Sequence, residues 1–106
     1  MMFFGERQRT QAIADYTKVI ELMPNDAETY ANRGNVYCHM GNYHQAIEDY
    51  SKIIDFNPQL AYPYSNRGIA YGRLGNQGQA LEDVKTAARL GNQVARNILR
   101  NRGVNW

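Results

Sequence analysis

The sequence predicts an all-α chain built from stacked antiparallel helix pairs. Three observations lead there: a unit of 34 residues recurs, its apolar and aromatic residues are spaced for helices, and glycine or proline closes each helix. Setting Ala27–Leu60 over Ala61–Val94 gives identity at 13 of 34 positions, among them Tyr30/Tyr64, Asn32-Arg33-Gly34/Asn66-Arg67-Gly68, Tyr37/Tyr71 and Gly41-Asn42/Gly75-Asn76. The same shift brings Gln11–Pro24 onto Gln45–Pro58 with 8 of 14 identical. A period of this length is the mark of a stacked repeat, in which each unit buries its apolar face against the next.

The elements follow in order. A half copy at residues 9–24 carries Ala12 and Tyr16 on a helix over about 9–22 and ends at Pro24, because proline cannot continue a helix. The first full copy, 27–60, opens after Asp26, a residue suited to an N-cap. Tyr30, Arg33-Gly34 and Tyr37 fall at i, i+3/i+4 and i+7, and Ala46, Ile47, Tyr50, Ile53 and Ile54 repeat that spacing beyond the Gly41-Asn42 turn. The second full copy, 61–94, turns at Gly75-Asn76 and stops at Gly91-Asn92. Val94, Ile98 and Leu99 then give a short amphipathic capping helix at 93–102, with Arg96, Arg100 and Arg102 on its polar side and Trp106 expected to pack back. No stretch alternates with period two over strand length.

Composition fits one small domain, 1–106. Hydrophobic residues make 43% of the 106 and charged residues 21%, near the globular average. No apolar run nears the ~18 residues of a membrane span, and Met1-Met2-Phe3-Phe4 is cut off by Gly5-Glu6 before it could act as a leader. The one cysteine, Cys38, cannot close an internal disulfide, so a reducing, cytoplasmic setting is expected. A net charge of +2 calls for no polyanion. The charge is uneven, however: from Lys85 onward there are five basic residues and no acidic one.

The pattern Tyr30-x-x-Arg33-Gly34-x-x-Tyr37, then Ala46-x-x-x-Tyr50, then Pro58 resembles the tetratricopeptide repeat. The second copy reads Tyr64-x-x-Arg67-Gly68-x-x-Tyr71 and Ala80-x-x-x-Val84, with Gly91-Asn92 where the family has proline. Asn-Arg-Gly and Ala-Ile-x-Asp-Tyr look like bacterial-type repeats. The resemblance implies a right-handed superhelical solenoid of about two and a half repeats plus the capping helix. Mid-helix Gly34 and Gly68 would mark close helix approach, with Ala46 and Ala80 facing them and Tyr37, Tyr71, Tyr50 and Tyr16 filling gaps between pairs.

Arg33 and Arg67 depart from the family, which usually has leucine there. An arginine beside a close-packed glycine needs a partner, since an unpaired buried charge is costly. Arg33 lies eight residues before Gly41 and Asp49 eight after it, as Arg67 and Asp83 do about Gly75. An antiparallel hairpin puts each pair at one level, so structural ion pairs Arg33–Asp49 and Arg67–Asp83 are expected. Asp15 is the matching carboxylate of the half copy.

Catalysis is not expected. No nucleophile stands with a base, no cofactor or metal is called for, and His39, His44 and Cys38 straddle a turn rather than share a helix face. What remains is protein binding, which the resemblance also implies. Its concave wall would comprise Glu28, Ala31, Asn32, Asn35 and His39, then Tyr62, Ser65, Asn66, Ile69 and Arg73, then Arg96 and Arg100. Some members clamp a partner's C-terminal carboxylate with lysines, asparagines and an arginine; Asn35, Asn66, Arg96 and Arg100 fall on four of those five positions, and Ala31 stands where a lysine belongs. The expected function is a non-catalytic scaffold taking a peptide, such as one with an acidic C-terminus. The rival is self-association through the first helix, whose outer face could be covered by Met1–Phe4, by a second chain or by more repeats. Nucleic-acid contact through the basic tail is a distant third, because no aromatics are interleaved with its charges.

Overall fold

The computed structural model describes residues 5–106. These form six α-helices and no strand: α1 (Glu6–Leu22), α2 (Ala27–His39), α3 (Tyr43–Phe56), α4 (Ala61–Arg73), α5 (Gln77–Arg89) and α6 (Gln93–Asn101). Each helix packs on the next in chain order, giving a right-handed superhelical stack of helix pairs with extents of 41 × 28 × 25 Å. The expectation that Met1–Phe4 fold over α1 lies outside the described residues.

The turns after α2, α4 and α5 show how Gly-Asn does two jobs at once. Gly41, Gly75 and Gly91 have φ of 80°, 83° and 101°, a left-handed conformation that costs other residues strain. This lets the next residue's N–H turn back: Asn42 bonds the Tyr37 carbonyl at 2.8 Å, Asn76 the Tyr71 carbonyl at 2.9 Å, and Asn92 the Ala87 carbonyl at 2.9 Å. These are Schellman closures. The same asparagine stands at the N-cap of the following helix: Asn92 Oδ1 accepts the Ala95 N–H at 2.8 Å and Asn76 Oδ1 the Gln79 N–H at 3.4 Å, whereas Asn42 makes no side-chain cap.

One local expectation is corrected. The first helix begins at Glu6, three residues before the sequence estimate, because the Gln8 side chain accepts the Gly5 N–H at 2.8 Å and extends the ordered turn. Asp26 stands at the N-cap of α2 as expected, but its side chain bonds no backbone N–H; its Oδ2 instead accepts the Thr29 hydroxyl at 2.9 Å.

The core has two patches. Tyr30, Ala46, Tyr50 and Ile53 form one, with Ile20, Phe56 and Leu60 against it; Tyr30 meets Phe56 edge-on at 5.6 Å. Val84, Ala87, Ala88, Ala95 and Leu99 form the other, under Tyr64, Ile98 and Val104. The glycines allow close approach, but not against the alanines alone. A Cβ on Gly34 would lie 2.9 Å from the Tyr50 ring, whereas one on Gly68 would lie 3.1 Å from the Ala80 carbonyl and from Val84 Cγ2. Tyr50 therefore fills its own pair rather than the gap to the next. No residue of α1 is buried among those described.

Candidate functional site

Both full copies build the same charged module beside the mid-helix glycine. Arg33 donates from Nε to Asp49 Oδ2 at 2.9 Å and from Nη2 to Oδ1 at 2.7 Å. Arg67 meets Asp83 the same way, at 2.8 and 2.9 Å. The third nitrogen of each reaches back to the preceding pair: Arg33 Nη1 donates to the Thr17 hydroxyl at 3.1 Å, and Arg67 Nη1 to the Ser51 hydroxyl at 3.0 Å. Each guanidinium also lies between two tyrosine faces, Tyr30 and Tyr37 at 5.8 and 5.9 Å, and Tyr64 and Tyr71 at 5.8 Å each. A flat, delocalised cation suits both the fork and the sandwich.

Burial makes the module stringent. The Asp49 side chain keeps 4% of its exposure and Arg33 keeps 17%. Burial pushes the Asp49 carboxyl up, against the downward pull of Arg33, while the bonds to Asp49 push the Arg33 guanidinium up. With Nε, Nη1 and Nη2 all engaged inside the protein, the module ties helices together. Asp15 has no arginine opposite; it is exposed and accepts from Gln11 Nε2 at 3.0 Å. The hydroxyl anchors and the tyrosine sandwich escaped the sequence reading. The signal was present, since Thr17 and Ser51 are equivalent in the repeat and each lies sixteen residues before its arginine.

The proposed wall residues sit on α2, α4 and α6. Asn35 and His39 are exposed on α2, with Asn32 half-buried; Tyr62, Ile69 and Arg73 are exposed on α4, with Asn66 half-buried. Asn35 Oδ1 accepts the Tyr50 hydroxyl at 2.6 Å. Burial pushes that phenol far above its usual range, so it remains a donor and fixes the amide with its nitrogen free for a partner. The starts of α2 and α4 lie near one another: burial first, then the Glu28 carboxylate, raises the Tyr62 pKa. Ser65 does not join them. It is 4% exposed, one turn before Gly68 on the side where α4 meets α5.

On α6, Arg100 is exposed and its Nη1 stands 3.5 Å from Asn97 Oδ1. Arg96 is half-buried and engaged: Nε donates to the Ala88 carbonyl at 2.9 Å, and its guanidinium lies 5.8 Å from the Trp106 ring. It thus closes the end of α5, where a cation also suits the helix dipole.

His39 and His44 are exposed, and Cys38 is half-buried with its thiol pushed up by burial. Among the described residues, no group of three or more His, Cys, Asp or Glu is placed to hold a metal. No helix among them is long and apolar enough to cross a membrane.

Residues 34–75 match a family model described as TPR repeat, and residues 15–48 one described as tetratricopeptide repeat. Among solved structures, the first TPR of Spaghetti (RPAP3) bound to the HSP90 peptide SRMEEVD is similar at TM-score 0.81 and 26% identity, covering 91% of this chain and 78% of that one. The second TPR domain of human RPAP3, in complex with the HSP70 peptide SGPTIEEVD, gives 0.80 and 27%, covering 94% and 85%. The Arabidopsis OM64 TPR domain gives 0.77 and 28%, covering 90% and 83%. No curated protein matches the sequence.

Proposed function

The chain is a tetratricopeptide-repeat protein, and from that premise we propose that it is a non-catalytic scaffold taking an extended peptide along α2, α4 and α6. The observation that carries this reading is Asn35. Its oxygen is held by the buried Tyr50 hydroxyl, which presents the amide nitrogen as a fixed donor to a peptide carbonyl or carboxylate. Asn32 and Asn66 extend the row, His39, Tyr62 and Ile69 add contact surface, and Arg73 and Arg100 supply exposed cations.

An acidic peptide suits those charges, and the peptides on two of the similar structures both end in Glu-Glu-Val-Asp. Arg100 is the arginine free to grip a carboxylate; Arg96 shares its guanidinium with Ala88 and Trp106. The test is fluorescence anisotropy with an acidic peptide bearing a free or an amidated C-terminus. A C-terminal carboxylate site predicts tighter binding of the free acid, with the preference lost in Arg100→Ala. Equal affinity of both peptides for both proteins rejects the carboxylate grip, and no binding of either rejects the groove. The half-buried, unpaired Cys38 suits a reducing, cytoplasmic setting.

A second reading is favoured by α1. Leu22 is 80% exposed and Met23 55% exposed at its end, and such apolar surface suits pairing with a second copy. Light scattering across a tenfold dilution tests it: a persistent dimer supports self-association, and a 12.1 kDa monomer throughout rejects it.

A further inference from the structure

The two full copies differ at one core position in a way that leaves a space. In the first copy the Tyr50 ring is 1% exposed and lies against Gly34, and its hydroxyl ends between Asn35 and Cys38. At a shift of 34 residues the ring's position belongs to Val84, and its two polar neighbours become Ile69 and Gly72. Val84 fills the inner end, its Cγ2 3.1 Å from where a Cβ on Gly68 would stand. What remains is a cavity of about 150 Å³ walled by Ile69, Gly72, Ala80, Val84, Ile98 and Leu99. Gln77 and Arg102, both exposed, complete its rim.

We infer that this cavity is a socket for the phenyl ring of a phenylalanine carried by a peptide partner. Size supports it, since an apolar cavity on the order of 150 Å³ accepts benzene. Chemistry supports it too: the side chains of those walls are aliphatic, and the polar groups of Gln77 and Arg102 stand at the rim. The first copy supplies the internal precedent, because there the protein's own aromatic ring occupies the equivalent space. Exchanging Asn35 and Cys38 for Ile69 and Gly72 removes the groups that met a hydroxyl, so the ring is phenyl rather than phenol. The socket opens between α4 and α6, two of the helices assigned above to the groove, and this inference rests on that reading. Arg102 at the rim and Arg100 nearby on α6 suit carboxylates flanking the phenylalanine.

The test uses two acidic pentapeptides that differ at the centre, Glu-Glu-Phe-Glu-Asp and Glu-Glu-Ala-Glu-Asp, titrated into the whole chain by methyl NMR. The phenylalanine peptide is expected to bind about 10- to 100-fold more tightly, the effect of burying one aromatic side chain, with shifts centred on Ala80, Val84 and Leu99. Val84→Phe fills the cavity and should equalise the two peptides. The peptide comparison in the unaltered chain stands without the variant. Equal affinities there overturn the socket and leave the groove standing. Failure of both peptides to bind at millimolar concentration overturns both readings. A phenylalanine preference that survives in folded Val84→Phe overturns the socket, as does toluene shifting those methyls when the peptides are not distinguished.

Discussion

Replacing Arg33 by leucine takes both hydrogen-bond donors from a carboxylate whose side chain is 4% exposed. Removing one side of a buried pair costs about 3–5 kcal/mol, because the remaining charge is left without compensation. Asp49→Leu should cost less, about 1–3 kcal/mol. Arg33 is 17% exposed and would keep Thr17, two tyrosine faces and some water. The double variant replaces both charges by apolar groups beside the Tyr50 core and should lose only about 1 kcal/mol. The two single losses then exceed the double by about 3 kcal/mol or more, a coupling that a double-mutant cycle isolates.

The same cycle has a pH signature. Burial already pushes the Asp49 carboxyl up with Arg33 present; without the arginine nothing opposes that rise. The folded state then holds a proton that the unfolded state has released, so stability falls as pH rises between the two pKa values, by about 1.4 kcal/mol per unit. The Arg33→Leu penalty should therefore be largest at pH 7 and shrink toward pH 4. Urea unfolding of all four proteins, followed by far-ultraviolet circular dichroism at both pH values, measures each quantity. A double variant as damaged as the sum of the singles refutes the pairing energetics, and a penalty that grows with acidity refutes the orphaned carboxylate.

Three further outcomes follow from the packing. Gly34→Ala and Gly68→Ala should each destabilise by about 1–3 kcal/mol in urea unfolding, against the ~1 kcal/mol gain alanine brings to an open helix, since each Cβ meets side-chain or carbonyl atoms at 2.9–3.1 Å. The Tyr50 phenol is raised by burial, so its contribution is complete below the unfolded value near 10 and is lost as pH climbs through and above it; Tyr50→Phe should lose about 1 kcal/mol at neutral pH and show a shallower alkaline decline. Arg96→Ala should move the emission of Trp106, the single tryptophan, to longer wavelength, and unchanged emission would show that the ring does not dock there.

The fold was legible because the 34-residue shift aligns its own punctuation: glycine where the backbone must go left-handed, asparagine where the next helix starts, proline between pairs. What was not legible depended on side-chain choices with several local partners. The Asp26 carboxylate at the N-cap of α2 had a backbone N–H or the Thr29 hydroxyl to accept, and it accepts Thr29. Gln8 extended α1 through a single side-chain bond that periodicity does not register. Ser65 shares a helix with the wall residues, yet α4 packs on both α3 and α5, and a helix held on two sides leaves a narrow free stripe. Arg96 carried two meanings in the sequence, and only the position of the Ala88 carbonyl and Trp106 shows where its guanidinium goes.

The arginine module also explains why the cavity lies where it does. Arg33 ties α2 back to Thr17 of α1, and Arg67 ties α4 back to Ser51 of α3. One repeat further on, the donor position is Asn101 and the acceptor position is Lys85, so donor and acceptor are lost together. The α5–α6 contact relies instead on Val84, Ala87, Ala88, Ala95 and Leu99, with the single bond from Arg96 Nε to the Ala88 carbonyl. Small residues there bring α6 close without filling the volume that an aromatic ring occupies in the preceding pair. The exchange of Tyr50 for Val84 therefore opens space at the interface that no charged tie of this kind spans among the described residues, at the end of the stack where the basic residues gather.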